Sequence, residues 1–251
     1  MSEVPPWEDP RRVLGRHGLG PKRSMSQNFL VSRSAVERIA EAAVPAPGAL
    51  VVELGPGLGT LTTALLRRGA QVTALERDRD MLQVLQAELG HLDTLRLVEG
   101  DAAMLDLATL MPDAPGPVQL TGNLPYAIIG AILRRIGDQA DRIAQAVVMV
   151  QREVRDRMLS SPGTKAYGAL TVFTQARFEV SPVLLVPPGA FHPAPKVASA
   201  VIRLTVRDRP LAQESNDFRR VVKAAFETRR KTLRNALLKV ASTSQVDAAL
   251  K

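Results

Sequence analysis

Short apolar segments alternate with helix-like segments through the first 150 residues, and this alternation limits the possible folds severely. Strands are predicted at residues 49–54, 71–75, 95–98, 118–121 and 146–150. Helices are predicted at residues 60–68, 79–89 and 128–136, with a helix or loop leading to residue 111. Because parallel strands need long crossover connections, the alternation predicts an α/β fold with a mostly parallel sheet covered on both faces.

The remaining segments complete this predicted architecture. A helix is expected at residues 34–44. Two β-rich segments, residues 183–186 and 197–206, flank a proline-rich loop and predict an antiparallel pair at the sheet edge, which gives seven strands. Two apolar stripes after Pro210 predict a helical end to the chain. The stripes consist of Phe218, Val221, Val222 and Ala225, and of Leu233, Ala236, Leu237 and Val240.

These patterns divide the chain into three units. Residues 1–25 contain several prolines and glycines, so we expect a basic, flexible arm without a helix. Residues 26–206 form the α/β domain, and residues 207–251 form a small helical domain. The chain ends soon after Val240, which predicts a shortened last helix.

The net charge of +8 is concentrated at the two ends of the chain. Residues 1–35 carry six Lys and Arg against three acids, and residues 201–251 carry 12 against five. Residues 36–200 carry 15 against 17. A near-neutral centre with basic ends is typical of a polyanion-binding protein, although a solvated basic surface gives the same pattern.

Composition excludes several other classes of protein. The chain has no cysteine, which rules out disulfides and thiolate metal sites and fits a cytoplasmic protein. Its three histidines are scattered, so we expect no metal. We expect no membrane association, because no run of about 18 apolar residues exists. The N-terminus has no apolar signal region.

Glycine and acidic residues stand at the ends of three successive predicted strands. Gly55-Pro56-Gly57-Leu58-Gly59 follows Glu53, and its spacing differs from that of a dinucleotide fingerprint. Glu76 could accept hydrogen bonds from two ribose hydroxyls, and Asp101 could accept from an adenine amino group. A tight turn and two helix N-caps are the alternative interpretations. The combined layout resembles that of class I S-adenosylmethionine-dependent methyltransferases.

A fourth strand end carries Asn123-Leu124-Pro125-Tyr126. The Asn123 side-chain oxygen and the carbonyl beside the proline can both accept from an exocyclic NH2 group. The Tyr126 ring can stack on a heterocycle. This turn therefore predicts a site for chemistry on the amino group of adenine or cytosine.

Seven motifs together resemble the rRNA adenine N6-dimethyltransferase family, closest to its small-subunit (16S) branch, over about residues 22–240. They are Gln27-Asn28-Phe29-Leu30, the loop 53–59, the turn 123–126, Gly163-Thr164-Lys165-Ala166-Tyr167-Gly168, Pro187-Pro188-Gly189-Ala190-Phe191-His192-Pro193, Pro195-Lys196-Val197 and Arg229-Arg230-Lys231-Thr232-Leu233. The resemblance implies a Rossmann-like class I methyltransferase fold that uses S-adenosylmethionine and releases S-adenosylhomocysteine.

The resemblance also implies a role for individual residues. The implied cofactor-binding residues are Asn28, Leu30, Glu53, Gly55, Gly57, Glu76, Asp101, Ala102 and Asn123. Asn123 also holds the target amine, Leu124 contributes its carbonyl, and Pro125 shapes the turn. Tyr126 stacks on the flipped base, and Phe191 either closes over the other face of the base or anchors its loop.

Ten basic residues are implied to bind rRNA phosphates. They are Lys22, Arg23, Lys165, Arg219, Arg220, Lys223, Arg229, Arg230, Lys231 and Arg234. The implied substrate is a pair of adjacent adenines in the 3′-terminal hairpin of 16S rRNA within an immature 30S particle, modified by a monomeric enzyme. The alternatives are a 23S rRNA methyltransferase conferring macrolide resistance, a non-catalytic RNA-binding relative and a small-molecule methyltransferase. Leu124 and residues 165–168 favour the small-subunit branch.

Overall fold

A seven-stranded sheet forms the centre of the computed structural model, which describes residues 3–22, 27–124, 128–213, 215–228 and 231–250. The described strands are β1 (Phe29–Leu30), β2 (Leu50–Leu54), β3 (Gln71–Glu76), β4 (Leu95–Glu99), β5 (Val118–Asn123), β6 (Ile143–Gln151), β7 (Phe178–Val186), β8 (Phe191–His192) and β9 (Ser199–Val206). The order in the sheet is β4-β3-β2-β5-β6-β9-β7, and β1 pairs with β8 separately. The predicted α/β fold with seven strands is confirmed.

Helices cover both faces of this sheet. Those described are α1 (Pro10–Arg16), α2 (Arg33–Ala43), α3 (Thr60–Arg67), α4 (Arg79–Leu89), α5 (Leu107–Leu110), α6 (Ile129–Asp138), α7 (Arg152–Met158), α8 (Ala169–Arg177), α9 (Asn216–Glu227), α10 (Leu233–Leu237) and α11 (Thr243–Ala249). Short 3-10 helices lie at Ala102–Met104, Ala140–Arg142 and Pro188–Ala190. Among the described residues, no helix is both long and apolar enough to cross a membrane.

Parallel pairing joins the first five strands of the sheet, β4, β3, β2, β5 and β6. β9 runs antiparallel to both β6 and β7, and β7 is the last strand on that side of the sheet. The prediction of an antiparallel pair at the sheet edge is therefore confirmed. Pro182 lies on the edge strand β7, beside an irregularity in its pairing, where a residue without an N–H is tolerated.

Two apolar clusters lie on opposite faces of the sheet because side chains alternate along each strand. Val51 packs in the cluster that includes α2 and α3. Its neighbour Val52 packs in the other cluster, which includes α5 and α6. Both valines are fully buried, as expected for a central strand of a parallel sheet. The carboxyl ends of β2 to β5 therefore project from a rigid core.

The N-terminal arm contains a helix, so the prediction that proline and glycine exclude one is wrong. The side chain of Asp9 accepts a hydrogen bond from the Arg11 N–H, and Pro10 occupies the first position of α1. Proline is favoured at that position because its missing N–H has no partner inside the helix. Val13 and Leu14 are buried against residues of α4, which holds α1 on the domain.

The C-terminal helices α9 to α11 are present, as predicted, but their buried faces differ in detail. Val221 is 41 % exposed, whereas Val222 and Ala224 are buried. Two aromatic contacts connect α9 to the preceding domain, Tyr167 with Phe226 and Phe173 with Phe218, each with ring centroids 5.8 Å apart. The sequence patterns did not predict α7 or α8, and α8 supplies this docking surface together with the loop before it.

Candidate active site

A cavity of about 260 Å³ opens at the carboxyl ends of β2, β3, β4 and β5, and residues 27–30 form one of its walls. All nine predicted cofactor-binding residues line it: Asn28, Leu30, Glu53, Gly55, Gly57, Glu76, Asp101, Ala102 and Asn123. Their sequence positions span 96 residues, and the parallel sheet brings them together. The crevice at the carboxyl ends of the strands is where open α/β sheets bind their ligands.

The loop after β2 requires glycine for two physical reasons. Gly55, Gly57 and Gly59 all have positive φ, a region that L side chains rarely adopt. A Cβ on Gly57 would lie 3.2 Å from the Phe29 ring. On Gly59 it would lie 2.9 Å from the side chains of Leu85 and of a second α4 leucine. The loop therefore brings bare backbone to the cavity wall, as close contact with a ligand requires.

Glu76 is the last residue of β3, and its side chain is only 8 % exposed. One carboxylate oxygen accepts from the N–H groups of Arg77 and Asp78, both at 2.8 Å. The other accepts from Gly57 N–H at 3.0 Å. A carboxylate has about four acceptor positions. One position, on the oxygen nearer the glycine loop, is left for a ligand hydroxyl, and a second hydroxyl has to compete with Gly57.

Glu53 lines the cavity from β2 with 1 % exposure and accepts a 2.6 Å hydrogen bond from the Thr62 hydroxyl. Burial raises the pKa of this carboxyl from 4.5 to about 8; the Thr62 hydrogen bond opposes the rise, and the nearby Glu76 charge adds to it. Glu53 is therefore mainly neutral at pH 7. This buried neutral group tethers α3 to β2 below the glycine loop.

Asp101 follows β4 and does two things at once. One carboxylate oxygen caps the 3-10 helix by accepting from Ala103 N–H at 2.8 Å. The other forms a 3.1 Å salt bridge with Arg77. The N-cap interpretation of Asp101 and its place in the cavity wall are therefore both correct. Ala102, next to it, adds a small apolar surface on which a planar ring can lie.

Asn123 ends β5 rather than following it, since β5 is two residues longer than predicted. Its side-chain N–H2 donates to the backbone carbonyl of Asn28 at 3.2 Å. Because a carbonyl only accepts, this contact fixes the orientation of the amide and leaves the Asn123 Oδ1 atom as an acceptor elsewhere. Leu124 is buried, and its N–H donates to Met149. Pro125 and Tyr126 lie outside the described residues.

The position of Phe191 fits the second of its two interpretations, an anchor for its loop, and not a position over the target base. It is 4 % exposed, belongs to the core cluster on the α2 side of the sheet and is paired with Leu30 in the β1–β8 ladder. It does not line the cavity among the described residues. Burial of the Phe191 ring in the core is energetically favourable. Because Phe191 is paired with Leu30, it supports the cavity wall from the core side.

Lys22 is another residue whose position corrects the prediction. Its ammonium group lies 2.7 Å from Asp78 and 2.6 Å from Asp80, so it binds the start of α4 instead of facing outward as a phosphate ligand. The hydrogen bonds that Lys22 donates to Asp78 and Asp80 hold its side chain there and raise the pKa of its ammonium group above the ordinary value. Asp78, for which no sequence motif predicts a role, also lines the cavity.

The other predicted RNA-binding residues are distributed over the surface. Three arginines form salt bridges, and the pairs are Arg219–Asp138, Arg220–Asp217 and Arg234–Asp247. Lys165, Lys223 and Lys231 are exposed. Arg23, Arg229 and Arg230 lie outside the described residues. Salt bridges at such exposed positions are worth at most about 1 kcal/mol, so phosphates can replace the acids.

The strand order, the glycine loop and the acids at the ends of β3 and β4 define a class I S-adenosylmethionine-dependent methyltransferase. Among the described residues, no group of three or more His, Cys, Asp or Glu side chains could hold a metal ion. The sequence model described as "Ribosomal RNA adenine dimethylase" matches residues 19–251. The chain belongs to this family.

Comparisons with individual proteins agree with this assignment. The chain is 46 % identical to Ribosomal RNA small subunit methyltransferase A of Anaeromyxobacter sp. (strain K), over 97 % of this chain and 89 % of that protein. The crystal structure of the 23S rRNA methyltransferase ErmE superimposes with a TM-score of 0.70 at 32 % identity, over 89 % of this chain and 88 % of that one. The crystal structure of a dimethyladenosine transferase from Plasmodium falciparum superimposes with a TM-score of 0.73 at 25 % identity, over 88 % of this chain and 78 % of that one.

Proposed function

We propose that this protein transfers two methyl groups to the N6 atom of adenine in small-subunit rRNA. The observation that carries the proposal is the fixed Asn123 amide at the end of β5, beside a cavity built for an adenosyl cofactor. Its Oδ1 atom is an acceptor for an exocyclic amine, a group that adenine, cytosine and guanine all carry. The family relationship favours adenine.

The residues around the cavity fit S-adenosylmethionine. Glu76 has an acceptor position left for a ribose hydroxyl, and Asp101 and Ala102 offer an acceptor and an apolar surface to the adenine. The glycine loop admits the amino-acid end, with Gly55 and Gly57 in the wall. When bound, S-adenosylmethionine supplies an electrophilic methyl group on a sulfonium. The acids lie at the adenosyl end, and the Asn123 end is neutral.

The chain's own residues activate the amine by alignment. An adenine N6 lone pair is delocalised into the ring and is a poor nucleophile. Two acceptors, Asn123 Oδ1 and the Leu124 carbonyl, hold the N–H bonds so that the nitrogen becomes more pyramidal. Tyr126 fixes the base by stacking. Alignment of this kind lowers a barrier by up to about 7–11 kcal/mol, and the target base must first leave its stack.

Small-subunit rRNA is the favoured substrate because the small-subunit relative is 46 % identical, whereas the 23S enzyme ErmE is 32 % identical. Leu124 and residues 165–168 point the same way. The finer proposal is that two adjacent adenines in the 3′-terminal hairpin of 16S rRNA are modified in an immature 30S particle. The enzyme acts in the cytoplasm as a monomer.

The basic C-terminal unit is proposed to hold the RNA. Residues 26–206 would carry the chemistry, and residues 207–251, with net charge +7 over residues 201–251, would grip phosphates. The exposed side chains of Lys223 and Lys231, with Arg220 and Arg234, supply the positive charge. Lys165 lies on the loop that contacts α9 and would extend this surface toward the cavity.

A transfer experiment tests the substrate. Purified protein is incubated with methyl-labelled S-adenosylmethionine and with unmodified 30S particles, 50S particles or free small amines. Label in the RNA of 30S particles alone is the expected result. Label confined to 50S particles contradicts the small-subunit proposal and supports the 23S alternative. Label in free amines alone points to a small-molecule enzyme.

A further inference from the structure

Asp78 holds the N-terminal segment against the start of α4 through a set of close contacts. Its carboxylate is 5 % exposed and caps α4 by accepting from Asp80 N–H at 3.0 Å. The same oxygen accepts from the Lys22 ammonium at 2.7 Å, and the other oxygen accepts from Gln27 Nε2 at 2.7 Å. A helix N-terminus further favours negative charge at this point.

The Gln27 side chain contacts both Lys22 and Asp78. Its Oε1 accepts from the Lys22 backbone N–H at 2.9 Å while its Nε2 donates to Asp78. The amide orientation is fixed from both sides, because a backbone N–H only donates and a carboxylate only accepts. Burial alone raises the pKa of Asp78, but the hydrogen bonds from Lys22 and Asp80 N–H outweigh burial and lower it, so the carboxylate is charged at neutral pH.

The residues directly after Gln27 form a wall of the cavity. The Asn28 carbonyl accepts from the Asn123 side chain at 3.2 Å. The Phe29 ring lies against Gly57, and Leu30 is paired with Phe191. The wall is therefore attached to the core at the Leu30 end by β8, and at the Gln27 end by Asp78.

From these contacts we propose that Asp78 is a positioning residue that sets the Asn28 carbonyl, and through it the Asn123 amide, by holding Gln27. Asp78 acts on Asn28 through its hydrogen bond with Gln27, the residue directly before Asn28. It reaches the target amine only through Asn123. The inference rests on the proposed function for its catalytic consequence, while the effect on the cavity wall is independent of which RNA is methylated.

Asp78→Asn tests this positioning without removing the helix cap, because asparagine is also a good N-cap. The Asn side chain can still accept from Lys22 and Asp80 N–H, but its N–H2 then faces the N–H2 of Gln27. Asp80→Asn is the matched control, since Asp80 shares the Lys22 ammonium at 2.6 Å and has no hydrogen bond with Gln27 among the described contacts. Asp78→Asn/Gln27→Glu restores a donor facing an acceptor with the net charge unchanged.

Three readouts separate the cavity wall from the reaction. Hydrogen exchange of the peptide spanning residues 27–32 reports the wall, titration calorimetry with S-adenosylhomocysteine reports the cavity, and kcat on 30S particles reports Asn123. For Asp78→Asn we expect faster exchange, about 10-fold or more weaker binding and a lower kcat. Asp80→Asn should stay within about 3-fold of the wild type in binding.

The double variant decides between positioning and general destabilisation. Recovery of exchange and affinity to within about 3-fold of wild type supports the proposal. The second substitution can compensate for the first only if the side chains at positions 27 and 78 contact each other. Wild-type exchange and affinity in Asp78→Asn, or no recovery in the double variant, would overturn it. If neither the wild type nor any variant methylates RNA but the exchange and binding results are as expected, the proposed function fails and the positioning role stands.

Discussion

Asn123 receives its orientation from a backbone carbonyl 95 positions earlier in the chain. The donor half of its amide is occupied by Asn28, so the acceptor half is the part available to a substrate amine. A carboxylate in the same place could not donate to Asn28 and would carry a charge near a sulfonium. The role proposed for this residue therefore depends on an amide in one defined orientation.

Asn123→Ala should abolish methyl transfer while leaving RNA binding largely intact. The substitution removes the amine acceptor and the contact with Asn28 but leaves the basic surface unchanged. Loss of one well-placed polar group typically lowers kcat by about 10²–10³-fold. Single-turnover transfer and RNA filter binding, measured on the same preparations, check this expectation. Wild-type turnover in the variant would refute the role of Asn123.

Glu53 makes the stability of the protein depend on pH. Its pKa is about 8 in the folded protein against 4.5 as the ordinary value, so the folded state holds a proton that the unfolded state releases between these pH values. Stability from this group is therefore greatest below about pH 4.5, falls as pH rises, and is lowest above about pH 8. Glu53→Gln, which cannot ionise, should gain at least about 1 kcal/mol relative to wild type between pH 5 and pH 9.

Urea unfolding of both proteins at pH 5, 7 and 9 measures this difference. Glu53→Gln keeps an oxygen for the Thr62 hydroxyl, so the comparison isolates the charge. A stability difference that does not change with pH would show that Glu53 does not titrate as its burial requires.

Among the secondary-structure elements, β2 and β5 approach each other closely at their carboxyl ends. Leu54 is paired with Gly122, and a Cβ on Gly122 would lie 2.3 Å from the Leu54 carbonyl oxygen. The glycine lets the two strand ends approach at the position directly before Asn123. The position of Asn123 is therefore set by the pairing of β5 with β2.

Gly122→Ala should destabilise the fold by about 1–3 kcal/mol or more, because the clash is with backbone and not with a movable side chain. Gly137→Ala is the matched control, since open space surrounds that position in α6. It should be neutral or stabilising by up to about 1 kcal/mol. Guanidinium unfolding midpoints distinguish the two. Equal midpoints for both variants would contradict the close approach of β2 and β5.

Local signals predicted most elements of the sheet and the helices between its first strands, but they did not predict α1, α7, α8 or the long-range contacts. The strands and the glycine loop follow from apolar runs, glycines and acids that stand together in the sequence. Helix α1 was not predicted because Pro10 was taken as a helix breaker, whereas it occupies the first turn of α1 after the Asp9 cap. The partnership of Lys22 with Asp78 joins residues 56 positions apart, and no local pattern indicates it. The choice between the two interpretations of Phe191 likewise depends on core contacts that no local pattern indicates.

On the scale of the whole molecule, the surplus positive charge and the cavity lie in different parts of the sequence. The cavity lies in the near-neutral middle of the chain, and the surplus of basic residues lies at the ends. Such segregation lets a polyanion bind over a wide surface while a neutral polar group handles the reactive base. The salt dependence of RNA binding therefore belongs to the molecule as a whole.

Lys223→Glu and Lys231→Glu should each weaken RNA binding and lower the slope of log K against log[salt] by about 1. Both side chains are exposed on the C-terminal unit. Arg67→Glu, an equally exposed charge reversal at the far end of α3, is the control. Binding isotherms from 50 to 300 mM KCl provide the slopes. An equal effect of all three reversals would indicate only the loss of net charge.

The identity of the modified nucleoside tests the central claim most directly. Unmodified 30S particles are treated with the protein and S-adenosylmethionine, and the 16S rRNA is digested and mapped by mass spectrometry. We predict N6,N6-dimethyladenosine at two adjacent positions of the 3′-terminal hairpin, and none with Asn123→Ala. Methylation of cytosine, of 23S rRNA alone, or of adenine to the monomethyl stage only would contradict the account.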